Sequence, residues 1–129
     1  KERIRVEALW MLQLAETLHP MPVAALAVAV RRKLEMLADD PGDACTFTVK
    51  HIEQRINHDV KAVEYYVRDE IKAVGATPAQ LELVHFGCTS EDINNVSHAL
   101  MLQRGVHGGE IGAARVWVGH GVRLDEIQA

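Results

Sequence analysis

The chain has 129 residues and a formal net charge of -4, with 48% hydrophobic and 25% charged residues. This length suits one domain with its own apolar core, and the negative charge disfavours a dedicated nucleic-acid surface. No run reaches the length of a membrane span and no secretory signal opens the chain, so we expect no membrane partner. The only two cysteines lie in no metal-like spacing and favour a reducing compartment. We therefore predict a cytoplasmic protein.

Apolar residues at helical spacing predict an all-α fold. Residues 4–18 form the first amphipathic pattern, which Pro20 ends. The pattern is already under way at Lys1, without a starting Met, so we expect sequence before it. An Ala/Val/Leu run over residues 23–37 predicts a second helix, although residues 27–30 would also fit a strand.

Turn residues separate the following predicted helices. Residues 39–43 are a surface turn, and a third helix begins around Phe47 and stops near Ile56. A fourth helix carries apolar residues from Val60 to Val74 and ends at a glycine, residue 75. Residues 77–84 form a short helical turn.

The segment 85–95, His-Phe-Gly-Cys-Thr-Ser-Glu-Asp-Ile-Asn-Asn, predicts a turn that leads into a helix N-terminus. Gly87 permits a sharp turn, and Thr89 or Ser90 can cap the helix with Asp92 as its capping-box partner. From Ile93 onward, apolar residues recur at helical spacing. Hydroxyls and free N–H groups at the positive helix end suit an anion such as a carboxylate or phosphate, and a capped structural helix is the alternative.

Residues 85–102 resemble the first signature segment of the adenylosuccinate lyase family, in the fumarase/aspartase superfamily. Residues 53–66, which include Asn-His-Asp-Val-Lys-Ala, resemble a second family segment. The similarity covers roughly residues 1–104. It implies the N-terminal helical domain of the fumarase/aspartase-type fold, without its long central helix bundle.

The resemblance also implies a reaction, the β-elimination of fumarate from adenylosuccinate or from the succinyl-carboxamide intermediate of purine synthesis. It assigns substrate binding to Asn57, His58, Asp59, Thr89 and Ser90. It implies no cofactor and no metal, a small-molecule succinyl-purine nucleotide as substrate, and a homotetramer for the intact enzyme.

Each assigned residue has a role that its chemistry permits. The hydroxyls of Thr89 and Ser90 can donate to a succinyl carboxylate, while His58 can donate to a bound group or orient the catalytic acid. Asp59 can fix a histidine tautomer or cap its helix. Helix caps and a turn histidine are the structural alternatives.

Further candidates are weaker. His85 could approach the site, or it could be a packing histidine bonded to backbone. A zinc site formed by His58, Asp59 and His85 is disfavoured, because no His-x-x-x-His pair lies on a helix. Cys88 is flanked by a cap rather than a base, which disfavours a nucleophile.

Residues 105–129 form a Gly-rich tail without family resemblance. Six of the nine glycines fall between Gly105 and Gly121. The family's acid histidine, in a Thr-His-Gly segment, and its base serine, on a Gly-Ser-Ser-x-Met-Pro loop, are both missing from the chain. We hypothesise that the tail arises from a shifted reading frame or a mis-joined end, and that the chain is a fragment that is inactive alone.

The sequence also permits two other functions. One is a stand-alone, non-catalytic helical protein that binds a dicarboxylate or a partner. The other is a different superfamily lyase, such as argininosuccinate lyase or fumarase, which the Asn57-His58-Asp59 motif disfavours.

Overall fold

The structure, a computed structural model, describes residues 1–20 and 22–107. Its elements in chain order are α1 (Glu2–Thr17), a 3-10 turn (Pro22–Ala24), α2 (Val28–Asp39), α3 (Ala44–Ile56), α4 (Asp59–Lys72), α5 (Pro78–Leu81) and α6 (Ser90–His107). Over these residues the regular structure is helical without strands, which confirms the all-α prediction. None of the helices in this part of the chain is both long and apolar enough to cross a membrane.

The chain divides into two compact units, residues 1–98 and residues 99–129. In the first unit, α1 packs against α2 and α4, and α3 packs against α4. The core is apolar and is drawn mainly from these helices, with Met11, Leu34 and Ile71 among its largest fully buried side chains. Burial of these stripes, rather than intrinsic helix propensity, stabilises the helices.

The second predicted helix is shorter than the sequence indicated. Its first residues form the 3-10 turn, and α2 begins only at Val28. The break is explained by a tertiary contact, because the side-chain amide of Gln80 donates to the carbonyl of Ala25 (2.7 Å). Ala27 is extended, with φ -59° and ψ 150°, and the alternative strand is not formed.

The third and fourth helices agree closely with the prediction. The third helix ends at Ile56 as expected but begins at Ala44, before Phe47. Cys45, Val49 and Ile52 contribute to the core, whereas Phe47 is 80% exposed. Gly75 follows the fourth helix with a positive φ of 94°, a conformation that glycine adopts without strain.

The last helix begins where the sequence placed it. Within the first unit it buries Ile93 and Ser97, which lie four residues apart, while Val96 is half exposed. The described part of the second unit, residues 99–107, continues this helix. The predicted boundary after Arg104 stays a prediction, and residues 108–129 of the predicted tail lie outside the described residues.

Candidate functional site

The Asn57-His58-Asp59 triplet is the joint between α3 and α4. Asn57 ends α3 in the left-handed conformation, with φ 54° and ψ 38°, and its N–H donates to the carbonyl of Glu53 (2.7 Å). His58 caps α4, because its Nδ1 accepts from the backbone N–H of Lys61 (3.1 Å). An accepting Nδ1 carries no hydrogen, so the neutral ring has its N–H at Nε2. His58 and Asn57 are exposed, and the Nε2–H group is a suitable donor to an anion.

Asp59 binds a cation on α1. Its Oδ2 lies 3.0 Å from the guanidinium of Arg3, and its Oδ1 accepts from the N–H of Val60 (2.8 Å). The bond from Val60, together with Arg3, lowers the pKa of Asp59 below its usual value. The Oδ1 atom is 3.9 Å from Nδ1 of His58, too far for a hydrogen bond. The tautomer of His58 is therefore fixed by Lys61 and not by Asp59.

Thr89 is the N-cap of α6. Its backbone N–H (2.7 Å) and its hydroxyl (2.8 Å) both donate to Oδ2 of Asp92. The N–H of Asp92 lies 3.4 Å from the Thr89 hydroxyl and completes a reciprocal cap of the capping-box type. These bonds lower the pKa of the Asp92 carboxyl. Of the two predicted caps, the structure selects Thr89.

Ser90 has a different environment. Its hydroxyl forms no hydrogen bond with any residue that the structure describes. Ser90 is the first residue of a helix of 18 residues, and the N–H groups of a first turn have no partner within their helix. A hydroxyl at the positive end of a helix is therefore available to a ligand anion.

An open cleft of about 300 Å³ lies beside this cap. Its walls are mainly apolar and come from α1, the turn before α6 and the first turns of α6: Val6, Trp10, Gly87, Cys88, Asp92, Ile93 and Val96. The indole of Trp10 is fixed by its Nε1–H, which donates to the carbonyl of Phe86 (2.8 Å). Burial raises the pKa of the Cys88 thiol, which disfavours a thiolate nucleophile there.

One face of α1 contacts both motifs. Arg3 pairs with Asp59, Glu7 with His85, and Trp10 with Phe86. Positions 3, 7 and 10 share one helix face, and at 1.5 Å per residue they span about 10 Å along the axis. The structure thus mounts the two sequence-distant motifs on a common helix. Among the described residues, no hydrogen bond or ion pair joins Asn57-His58-Asp59 directly to Thr89-Ser90.

Sequence reasoning missed the α1 residues of this arrangement. His85 bonds to a buried side chain, Nδ1 to Oε1 of Glu7 at 2.6 Å, and not to backbone. The available signal was an acidic residue among apolar core positions of α1. Among the described residues, no group of three His, Cys, Asp or Glu side chains is placed to hold a metal ion.

Comparison with known proteins identifies relatives of this chain. No family profile matches it. The adenylosuccinate lyase of Vibrio cholerae is 43% identical over 103 residues, which are 80% of this chain and 23% of that protein. The Escherichia coli K12 enzyme is 40% identical over 103 residues, with the same shares of the two chains. The Legionella pneumophila enzyme is 36% identical over 104 residues.

The resemblance predicted from the two motifs is confirmed by these matches. The chain spans about a quarter of the length of the curated relatives that it matches.

Proposed function

Because about four fifths of the chain is similar to adenylosuccinate lyases, we propose that it is the N-terminal, substrate-binding portion of such an enzyme. The complete protein releases fumarate by β-elimination from adenylosuccinate, or from the succinyl-carboxamide intermediate of purine synthesis. The observation that supports this most is that one face of α1 contacts both Asp59 of the Asn-His-Asp motif and the turn that leads into Thr89 and Ser90.

The reaction needs three kinds of group. A base removes the Cβ proton, an acid protonates the departing nitrogen, and donors hold the carboxylates and the carbanion-like charge. This chain offers the donors. Ser90 and the first-turn N–H groups of α6 can bind a succinyl carboxylate, and the Nε2–H of His58 can donate to another substrate oxygen. The acid and the base come from segments outside this sequence, so the chain alone has neither.

Two acidic residues in the first turn of α6, Asp92 and Glu91, affect which groups can bind the substrate carboxylate. Asp92 is held by the two Thr89 donors, so the Thr89 hydroxyl is engaged in the free protein. Glu91 is exposed and can turn towards solvent. We therefore assign direct substrate binding chiefly to Ser90, and to Thr89 the formation of the helix end that presents Ser90.

The assembly and compartment follow from the same proposal. The complete protein is a cytoplasmic homotetramer that acts on a small succinyl-purine nucleotide and needs no cofactor. Its long helix bundle, which this chain lacks, brings the acid and the base to the site.

A stand-alone helical binding protein is the alternative from another functional class. It is supported by the fact that the Thr89–Asp92 cap and the residues lining the apolar cleft all lie within residues 1–98. A different superfamily lyase is disfavoured, because the relatives described above are adenylosuccinate lyases.

The genomic DNA on both sides of this coding segment distinguishes the alternatives. The proposal expects downstream sequence, in one of the reading frames, that encodes the Thr-His-Gly and Gly-Ser-Ser-x-Met-Pro segments. A short gene flanked by unrelated genes would instead favour the stand-alone binding protein.

A further inference from the structure

Glu7 is an acidic residue in the middle of the apolar core. Its side chain is fully buried, and its helix neighbours Ile4, Ala8 and Met11 are core residues. Removing a carboxylate from water is costly unless a partner compensates for the lost hydration. A side chain that served packing alone would therefore be apolar at this position.

Hydrogen bonds replace only part of the hydration that the Glu7 carboxylate loses on burial. Oε1 of Glu7 lies 2.6 Å from Nδ1 of His85. Oε2 is buried and has no hydrogen-bond partner among the residues that the structure describes. The contact with the imidazole of His85 is thus the main polar interaction of this buried carboxylate. This indicates that Glu7 acts on His85.

Relative basicity favours the ring as the owner of the hydrogen shared by Glu7 and His85. An imidazole is ordinarily a stronger base than a carboxylate by about two pH units. Burial raises the pKa of Glu7, while the hydrogen bond from His85 opposes that shift. A short contact of this kind is typical of a charge-assisted bond from N–H to a carboxylate. Nδ1 is then the donor, and Nε2 is the ring nitrogen left for another partner.

His85 stands next to the candidate anion site. It lies four residues before Thr89, and its carbonyl accepts from the N–H of Cys88 (3.2 Å). Its φ of 64° is left-handed, a conformation that a non-glycine residue adopts only where its surroundings hold it. The ring is 19% exposed and lies within electrostatic range of Asp92. A partly exposed imidazole thus adjoins the Thr89–Asp92 cap.

Resting on the proposed function, we propose that Glu7 is a positioning residue for substrate recognition. It holds His85 with hydrogen on Nδ1, and so leaves Nε2 as an acceptor for an N–H or O–H donor of the bound nucleotide.

The test is the tautomer of His85, measured in the 129-residue chain by nitrogen-15 NMR of the imidazoles. The spectrum is recorded in mildly alkaline solution, where the two nitrogen shifts show directly which ring nitrogens carry hydrogen. His85→Asn assigns the signals among the seven histidines and tolerates a left-handed backbone. We expect Nδ1 at a protonated, pyrrole-type shift and Nε2 at an unprotonated, pyridine-type shift.

Glu7→Leu should then shift Nδ1 towards the unprotonated position, because a leucine side chain cannot accept the Nδ1 hydrogen. Glu2→Leu is the matched control, since Glu2 is a buried acid of the same helix, and should leave the spectrum of His85 unchanged. The same tautomer in wild type and Glu7→Leu would overturn the proposal.

If Glu7→Leu does not fold, the wild-type spectrum decides, because an Nε2–H tautomer there contradicts the proposal by itself. The readout requires no lyase activity. Failure of the tautomer assignment is therefore distinguishable from failure of the proposed function, which the complete enzyme tests separately.

Discussion

At the scale of the residue, Thr89 and Ser90 are neighbours with different tasks. Thr89 bonds to Asp92 within the protein, whereas the Ser90 hydroxyl has no partner among the described residues. The sequence predicted that one of the two would cap the helix but could not choose between them. The choice depends on the backbone at the preceding turn, where Gly87 has a φ of 73°.

Thr89→Ala should lower the free energy of unfolding by about 1 kcal/mol, because it removes an N-cap hydroxyl. Urea unfolding of the chain measures the change. Ser90→Ala is the control and should unfold like the wild type. Equal losses in both variants would contradict the assignment of Thr89 as the cap.

Asp92→Asn should make stability less sensitive to acid. The Thr89 donors depress the pKa of Asp92 below its usual 3.8, so its ionised form is favoured by folding. That contribution is present above the usual pKa and is lost as the pH falls through the lower folded value. The difference in the free energy of unfolding between wild type and variant should therefore be largest at neutral pH and should shrink towards zero in acid. A difference that stays constant across acid unfolding curves would show that the charge contributes nothing.

Ser90→Ala should impair catalysis in a complete lyase that contains this segment. If Ser90 resembles an oxyanion-type donor, the loss in transition-state stabilisation is about 2–4 kcal/mol. Steady-state fumarate release measures it, with Thr89→Ala as the paired variant that loses stability instead. Unchanged kinetics and unchanged stability would leave Ser90 without a role in binding.

At the scale of the element, the sequence correctly predicted the helix ends that depend on residues close to them in the chain. The end of α3 at Ile56 and the start of α6 at Ser90 follow from local caps. The start of α2 depends on Gln80, which is 55 positions away from Ala25 in sequence, and no local pattern contains that contact. The pairing of Glu7 with His85 was missed for the same reason.

Residues 108–129 of the predicted tail should differ from α6, which extends to His107. Glycine at its density costs backbone entropy and supplies no side chain for packing. Amide hydrogen exchange is expected to be fast from Gly108 to Val122 and slow in the first turns of α6. Protection in the tail that equals that of the helix after Ser90 would refute the shifted-frame hypothesis. The valines around Trp117 are the residues most able to produce such protection.

At the scale of the whole molecule, the motifs indicated what the chain resembles, and the structure adds how they are held. The joint before α4 and the turn before α6 both bond to α1, through Arg3, Glu7 and Trp10. That relation could not be read from the sequence, because none of the three positions forms a motif. It is also the reason why binding groups can be arranged in this part of the protein without the acid or the base.

The purified chain should therefore release no fumarate from adenylosuccinate above background. On the proposed function, the acid and the base lie in segments outside this sequence, and binding groups alone do not supply them. A spectroscopic fumarate assay at high protein concentration is the measurement, with the Escherichia coli lyase as positive control. Turnover by residues 1–129 alone would place an acid and a base within this sequence.

The most direct test of the central claim is a chimeric enzyme. Residues 1–104 replace the matching segment of the Escherichia coli lyase, to which the chain is 40% identical, and fumarate release from adenylosuccinate is measured. Circular dichroism and size comparison with the parent enzyme establish that the chimera is folded and assembled. The account predicts turnover by the chimera and its loss on Ser90→Ala. A folded, correctly assembled chimera that releases no fumarate, or one that Ser90→Ala leaves fully active, would contradict the claim that this chain supplies the substrate-binding segment.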